Sequence, residues 1–137
     1  MGENDDLRGS CLCGEVAYTV RPPFLFFQQC HCSRCRKSSG SAYRASLLAK
    51  VEQFAWSRGE EHVRRFELPG AKYFCTGFCG RCGSSLPWLS RDGSYVLVPA
   101  GTLDDDPGVR PDRNICWESR APWYVHPHEL PTFDEKP

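Results

Sequence analysis

The sequence predicts a small, mainly β protein, and three observations carry that prediction. Glycine and proline account for 12 and 11 of the 137 residues, which cuts the chain into segments too short for long helices. Several of those segments alternate apolar and polar residues with the period of two that a half-buried strand requires. Nine cysteines fall mostly into tight clusters, a pattern that suits small sheets stapled together rather than one large apolar core.

The elements follow in chain order. Residues 1–8 read as a disordered polar tail, 9–133 as one domain, and 134–137 as a short frayed end. Glu15 to Val20 alternates, placing Val16, Tyr18 and Val20 on one face of a strand. Phe24 to Phe27 reads as a buried strand leading straight into Cys30. Residues 41–58 fit two patterns: Tyr43, Leu47, Val51 and Phe54 suit a helix face, whereas Ala45, Leu47, Ala49 and Val51 suit a strand. A strand to about Leu48, followed by a short helical turn, is the preferred reading. Val63 to Leu68, Lys72 to Phe74 and Tyr95 to Val98 are further strands, and Ile115 to Trp117 is a weaker one.

Lysine plus arginine equal aspartate plus glutamate at 17 each. That balance opposes a nucleic-acid surface, which needs a basic excess for phosphate contacts. No apolar run approaches the roughly 20 residues of a membrane span. The acidic start, Met1 to Asp6, is unlike a signal peptide. These features lead to the expectation of a cytoplasmic protein without membrane or nucleic-acid partners. An odd cysteine count also fits a secreted disulfide framework poorly.

The clusters read as metal chemistry. A Cys-x-Cys pair on a strand turns both sulfurs to one side, where each can reach a zinc at about 2.3 Å. A Cys-x-x-Cys turn does the same by curling, helped by a following glycine. Cys11 with Cys13, followed by Gly14, and Cys79 with Cys82, followed by Gly83, are each half of a tetrahedral site. Joined, they form a closed four-thiolate structural zinc, an ion that contributes roughly 10–16 kcal/mol of apparent binding energy in small domains.

Cys30, Cys32 and Cys35 differ, with three thiolates in six residues and no neighbouring fourth. Three protein ligands and an open position characterise a catalytic metal. His31 points away from its neighbours if the segment is extended, and closure by Cys75 or Cys116 from a distance is the competing reading. Three thiolates leave a net negative zinc, weak toward water but suited to an incoming thiol. Arg34, Arg36 and Lys37 could offset that charge, grip a carboxylate-bearing substrate, or simply form a solvated turn.

Three segments together resemble the glutathione-dependent formaldehyde-activating enzyme family: Gly9 to Val16, Cys30 to Lys37, and Phe78 to Gly83. Ala100 to Asp105 and Ala121-Pro122-Trp123 extend the likeness, which runs from about Arg8 to Phe133. The resemblance implies small antiparallel sheets of Mss4-like, or β-tent, type in a single zinc-binding catalytic domain. It implies two zincs, structural at Cys11, Cys13, Cys79 and Cys82 and catalytic at Cys30, Cys32 and Cys35. It also implies carbon–sulfur lyase activity joining glutathione and formaldehyde, or splitting their adduct, S-(hydroxymethyl)glutathione. Family members commonly carry histidine where Asn114 stands, and frequently histidine at Leu12. A non-catalytic, zinc-stabilised protein-binding module is the alternative, and a nucleic-acid-binding zinc ribbon ranks third. Of the other residues, Cys75 and Cys116 read as buried free thiols. Trp88, Trp117 and Trp123 read as core or half-exposed rings rather than pocket walls. Asp104, Asp105 and Asp106 read as a solvated turn, and His62, His126 and His128 are assigned nothing.

Overall fold

The computed structural model describes residues 5–137 and places eleven short strands and one helix among them. The expected tail at residues 1–4 lies outside the described residues. Strand β1 (Leu7–Ser10) begins inside the remainder of that tail, because Leu7 is buried and pairs with Val20 of β2 (Ala17–Val20). With β5 (Phe54–Arg58) these make an antiparallel sheet in the order β1-β2-β5.

A five-stranded sheet runs β11-β3-β4-β10-β9. It is built from β3 (Phe26–Cys30), β4 (Arg44–Lys50), β9 (Trp88–Leu89), β10 (Tyr95–Pro99) and β11 (Arg113–Ile115). The third sheet orders β6 (Val63–Glu67), β7 (Cys75–Cys79) and β8 (Ser85–Leu86). Helix α1 (Ser33–Ser39) follows β3.

The first two sheets face each other across the main core. Leu7, Tyr18 and Val20 meet Phe27, Leu47, Ala49, Val96 and Val98 there. Val16, Tyr18 and Val20 are all buried, as the alternation requires. Fully burying a Val or Leu side chain stabilises by about 1.5–3 kcal/mol, so the facing rows account for the sheets' association. A smaller cluster of Cys11, Val16, Cys79 and Leu86 joins the third sheet to the first.

Residues 41–58 resolve as β4, a turn of 3-10 helix at Val51–Gln53, and β5. Three details differ from expectation. Lys72 to Phe74 is irregular, and the strand starts at Cys75. The late strand sits at Arg113–Ile115 and runs parallel to β3, whereas the other pairings within the sheets are antiparallel. Asp104 to Asp106 do more than solvate a turn. Asp105 takes the Arg8 guanidinium at 2.9 Å, and Asp104 accepts from the Ser10 hydroxyl at 2.8 Å, fastening the edge of β1. No helix is long and apolar enough to cross a membrane.

Candidate functional site

Two knuckles of similar construction meet at the first cluster. In one, Cys11 N–H donates to the Val16 carbonyl and Gly14 N–H to the Cys11 carbonyl. In the other, Cys79 N–H donates to the Ser84 carbonyl and Gly83 N–H to the Cys79 carbonyl. Gly14 and Gly83 hold φ of 81° and 77°, the left-handed region that lets each knuckle curl without a Cβ penalty. Leu12 N–H reaches the Ser84 hydroxyl at 3.0 Å and ties one knuckle to the other.

The thiols of Cys11, Cys13, Cys79 and Cys82 all lie within 4.8 Å of one another. Cys11 and Cys13 are 3.6 Å apart and Cys13 and Cys79 are 3.9 Å apart. A tetrahedron with sulfurs at about 2.3 Å from its centre has edges of about 3.8 Å, so the four thiols fit a zinc. Backbone N–H groups already point at the sulfurs, from Val16 to Cys11 at 3.3 Å and from Arg81 to Cys79 at 3.4 Å. The Ser84 hydroxyl holds the Cys82 thiol down at about 5, favouring the thiolate that binds metal.

The second cluster forms where β3 becomes α1. Cys30 ends the strand, Cys32 precedes the helix and accepts the Cys35 N–H at 3.4 Å, and Cys35 sits in the first turn. Their three thiols again lie within 4.8 Å of one another, and this all-sulfur donor set also fits zinc. Cys30 and Cys35 are buried, while Cys32 is half-buried and gives the cluster an edge toward solvent. A hydrogen bond from the Cys35 thiol pulls Cys30 down to about 5, and the same bond, with burial, pushes Cys35 up.

His31 takes no part in this group of thiols. Its fully buried ring shares a 3.0 Å hydrogen bond between Nε2 and Oδ1 of Asn114. Tyr43, Trp117 and Tyr124 surround it at centroid separations of 5.2, 4.9 and 5.5 Å. Its Nδ1 is buried without a partner. Asn114 thus spans the gap from β11 to the β3–α1 junction.

Cys75 is buried, as expected, but Cys116 is not. Parallel pairing sets Ile115 opposite Cys30, and His31 N–H donates to the Ile115 carbonyl at 3.0 Å. The chain then turns at Cys116, the only non-glycine residue with positive φ among the described residues. This conformation costs an L-residue roughly 1–2 kcal/mol. The turn leaves Cys116 exposed, next to the second cluster but outside its group of three mutually close thiols. Burial of the sulfur and the Cys30 thiolate charge push Cys116 up.

The basic residues divide in a way the sequence did not reveal. Arg34 and Lys37 line a cleft of about 460 Å³ between α1 and the third sheet, walled by Phe66, Phe74 and Phe78. None of the three thiols forms part of that wall. Arg36 instead keeps a buried Nε without a partner. The charge beside the thiols comes from Arg44, a residue the sequence did not single out, which pairs with Cys30 across β3 and β4. Its guanidinium lies between Phe74 and Trp88, 4.8 and 4.3 Å from the ring centres, and its charge acts on Cys35 to lower it. Trp88 is buried, whereas Trp117 and Trp123 are exposed.

Comparison with known proteins places this geometry among relatives. Residues 6–119 match the family model described as glutathione-dependent formaldehyde-activating enzyme. A protein of Halomonas elongata that carries the same family description in its name is 31% identical over an alignment of 128 positions that covers 85% of this chain and 78% of that protein. A crystal structure of a Rhodobacter sphaeroides protein superposes with a TM-score of 0.61 at 23% identity. It covers 79% of this chain and 98% of that one, a likeness of fold.

Proposed function

The chain belongs to the glutathione-dependent formaldehyde-activating enzyme family, and we propose that it is a zinc-dependent carbon–sulfur lyase of the S-(hydroxymethyl)glutathione synthase type. Its substrate is an adduct of glutathione, or another small thiol, with formaldehyde or a related aldehyde. Cys11, Cys13, Cys79 and Cys82 hold a structural zinc in this reading, and Cys30, Cys32 and Cys35 hold a catalytic one. The observation that carries it is the contrast between a group of four mutually close thiols and a group of three with a half-buried edge.

Zinc bound by the three thiols would supply a soft position at which an outside thiol is held as thiolate. Arg44 offsets the negative charge that three cysteine sulfurs concentrate beside it. Arg34 and Lys37 face the cleft on the flank of the same helix, where they can pair with the carboxylates of a thiol peptide. Tyr43, Trp117 and Tyr124 pack around the His31 ring and hold in place the segment that carries Cys30 and Cys32. In synthesis the thiol sulfur bonds the aldehyde carbon and the thiol proton passes to the carbonyl oxygen; in cleavage both changes reverse.

Magnetisation-exchange NMR on glutathione and formaldehyde at equilibrium tests the proposal. The zinc-loaded protein is expected to exchange the adduct faster than buffer does, and Cys32→Ser to fall to the buffer rate. A buffer rate for the fully loaded wild type would overturn the enzyme reading and leave the zinc-stabilised binding module.

A further inference from the structure

The first cluster brings four thiols into one tight group, and the second brings only three. A further cysteine, Cys116, follows directly on Ile115, the residue paired with Cys30, and stands outside that group of three. Strand pairing puts it there: Ile115 is registered against Cys30 and accepts the His31 N–H. Trp117 on its other side packs against the His31 ring at 4.9 Å. Cys116 is therefore anchored on both flanks, while the residue itself remains exposed.

We propose that Cys116 is a fourth, built-in ligand for the metal held by Cys30, Cys32 and Cys35, occupying the position that an outside thiol takes during turnover. The proposal rests on the functional reading above only for that second clause. A thiolate in the fourth position protects the metal from loss and from unwanted donors while substrate is absent. Its placement outside the tight group makes it the sulfur that can leave. Exchange would replace one thiolate by another, so the number of sulfur ligands and the charge of the site stay the same.

Cobalt(II) substitution reads the number of sulfur ligands directly, through sulfur-to-metal charge-transfer absorption. The two clusters hold seven thiols, so the fully loaded wild type is expected to show the intensity of eight thiolates. Cys116→Ser and Cys116→Ala are each expected to show that of seven, and both should fold because the site is exposed. Equal intensity in wild type and both variants would overturn the proposal. Glutathione added to Cys116→Ala tests the functional reading separately. A rise from seven to eight supports an outside thiol as ligand, and no rise overturns that reading while leaving Cys116 as a ligand.

Discussion

The Nε2–H of His31 donates to Oδ1 of Asn114 at 3.0 Å, joining the residue between Cys30 and Cys32 to the strand that delivers Cys116. This bond is made by Asn114, at the position where the family resemblance leads to the expectation of histidine. It gives the buried imidazole a partner on one side, and Nδ1 has none on the other. Asn114→Leu removes the acceptor and excludes water, so it is expected to destabilise by about 1–3 kcal/mol. Asn114→Ala should cost less, because the shorter side chain admits water to Nε2. Urea unfolding at fixed metal loading measures both.

The two clusters should fail differently when one sulfur is removed. Cys79 is fully buried and belongs to the small core with Val16 and Leu86. Cys79→Ser is therefore expected to lose the folded state, since a structural zinc site supplies folding energy outright. Cys32 is half-buried beside α1. Cys32→Ser should stay folded and lose one of two metals. Circular dichroism and metal analysis of both variants check this, and equal loss of fold would contradict the division.

Arg44 should govern how firmly the second cluster keeps its metal against acid. Its charge acts to lower Cys35, and a lower thiol pKa favours the ligand thiolate at a given pH. Arg44→Met retains much of the packing against Phe74 and Trp88 but removes the charge. The pH at which half of the second metal is lost is expected to shift upward. Zinc release to a chromogenic chelator, followed as pH falls, reads that midpoint.

The Arg8–Asp105 pair sets an acid limit on the edge of β1. The Arg8 side chain and backbone N–H hold Asp105 down at about 2, below its ordinary 3.8. A carboxyl with a depressed folded-state pKa contributes stability above its unfolded pKa and loses it as pH falls toward the folded value. That contribution should therefore disappear between about pH 4 and pH 2. Asp105→Asn should unfold at a pH-independent offset below wild type at neutral pH, with the difference vanishing near pH 2. Thermal unfolding across that range is the check.

Much of the scaffold could be read from the sequence because the signals were local. The alternation of Val16, Tyr18 and Val20 required only the strand period, and the cysteine pairs with their glycines required only knuckle geometry. What escaped depends on strands far apart in the chain. The pairing of Arg44 with Cys30 and the parallel approach of Arg113–Ile115 to β3 are tertiary facts, with no local pattern to announce them. From its apolar neighbours Cys116 reads as a buried thiol, yet it takes a left-handed backbone and is exposed. Asp104 and Asp105 looked like a turn because their partners, Ser10 and Arg8, are more than ninety positions away. Helix α1 escapes a sequence reading because seven residues containing three serines and a cysteine carry no helical period.

Native mass spectrometry of the zinc-loaded chain with glutathione tests the central claim most directly. The account predicts two zincs per chain and one retained glutathione. Cys32→Ser should keep one zinc and retain no glutathione. Glutathione retained equally by that variant, or a wild type that holds both zincs yet never retains the thiol, would contradict it.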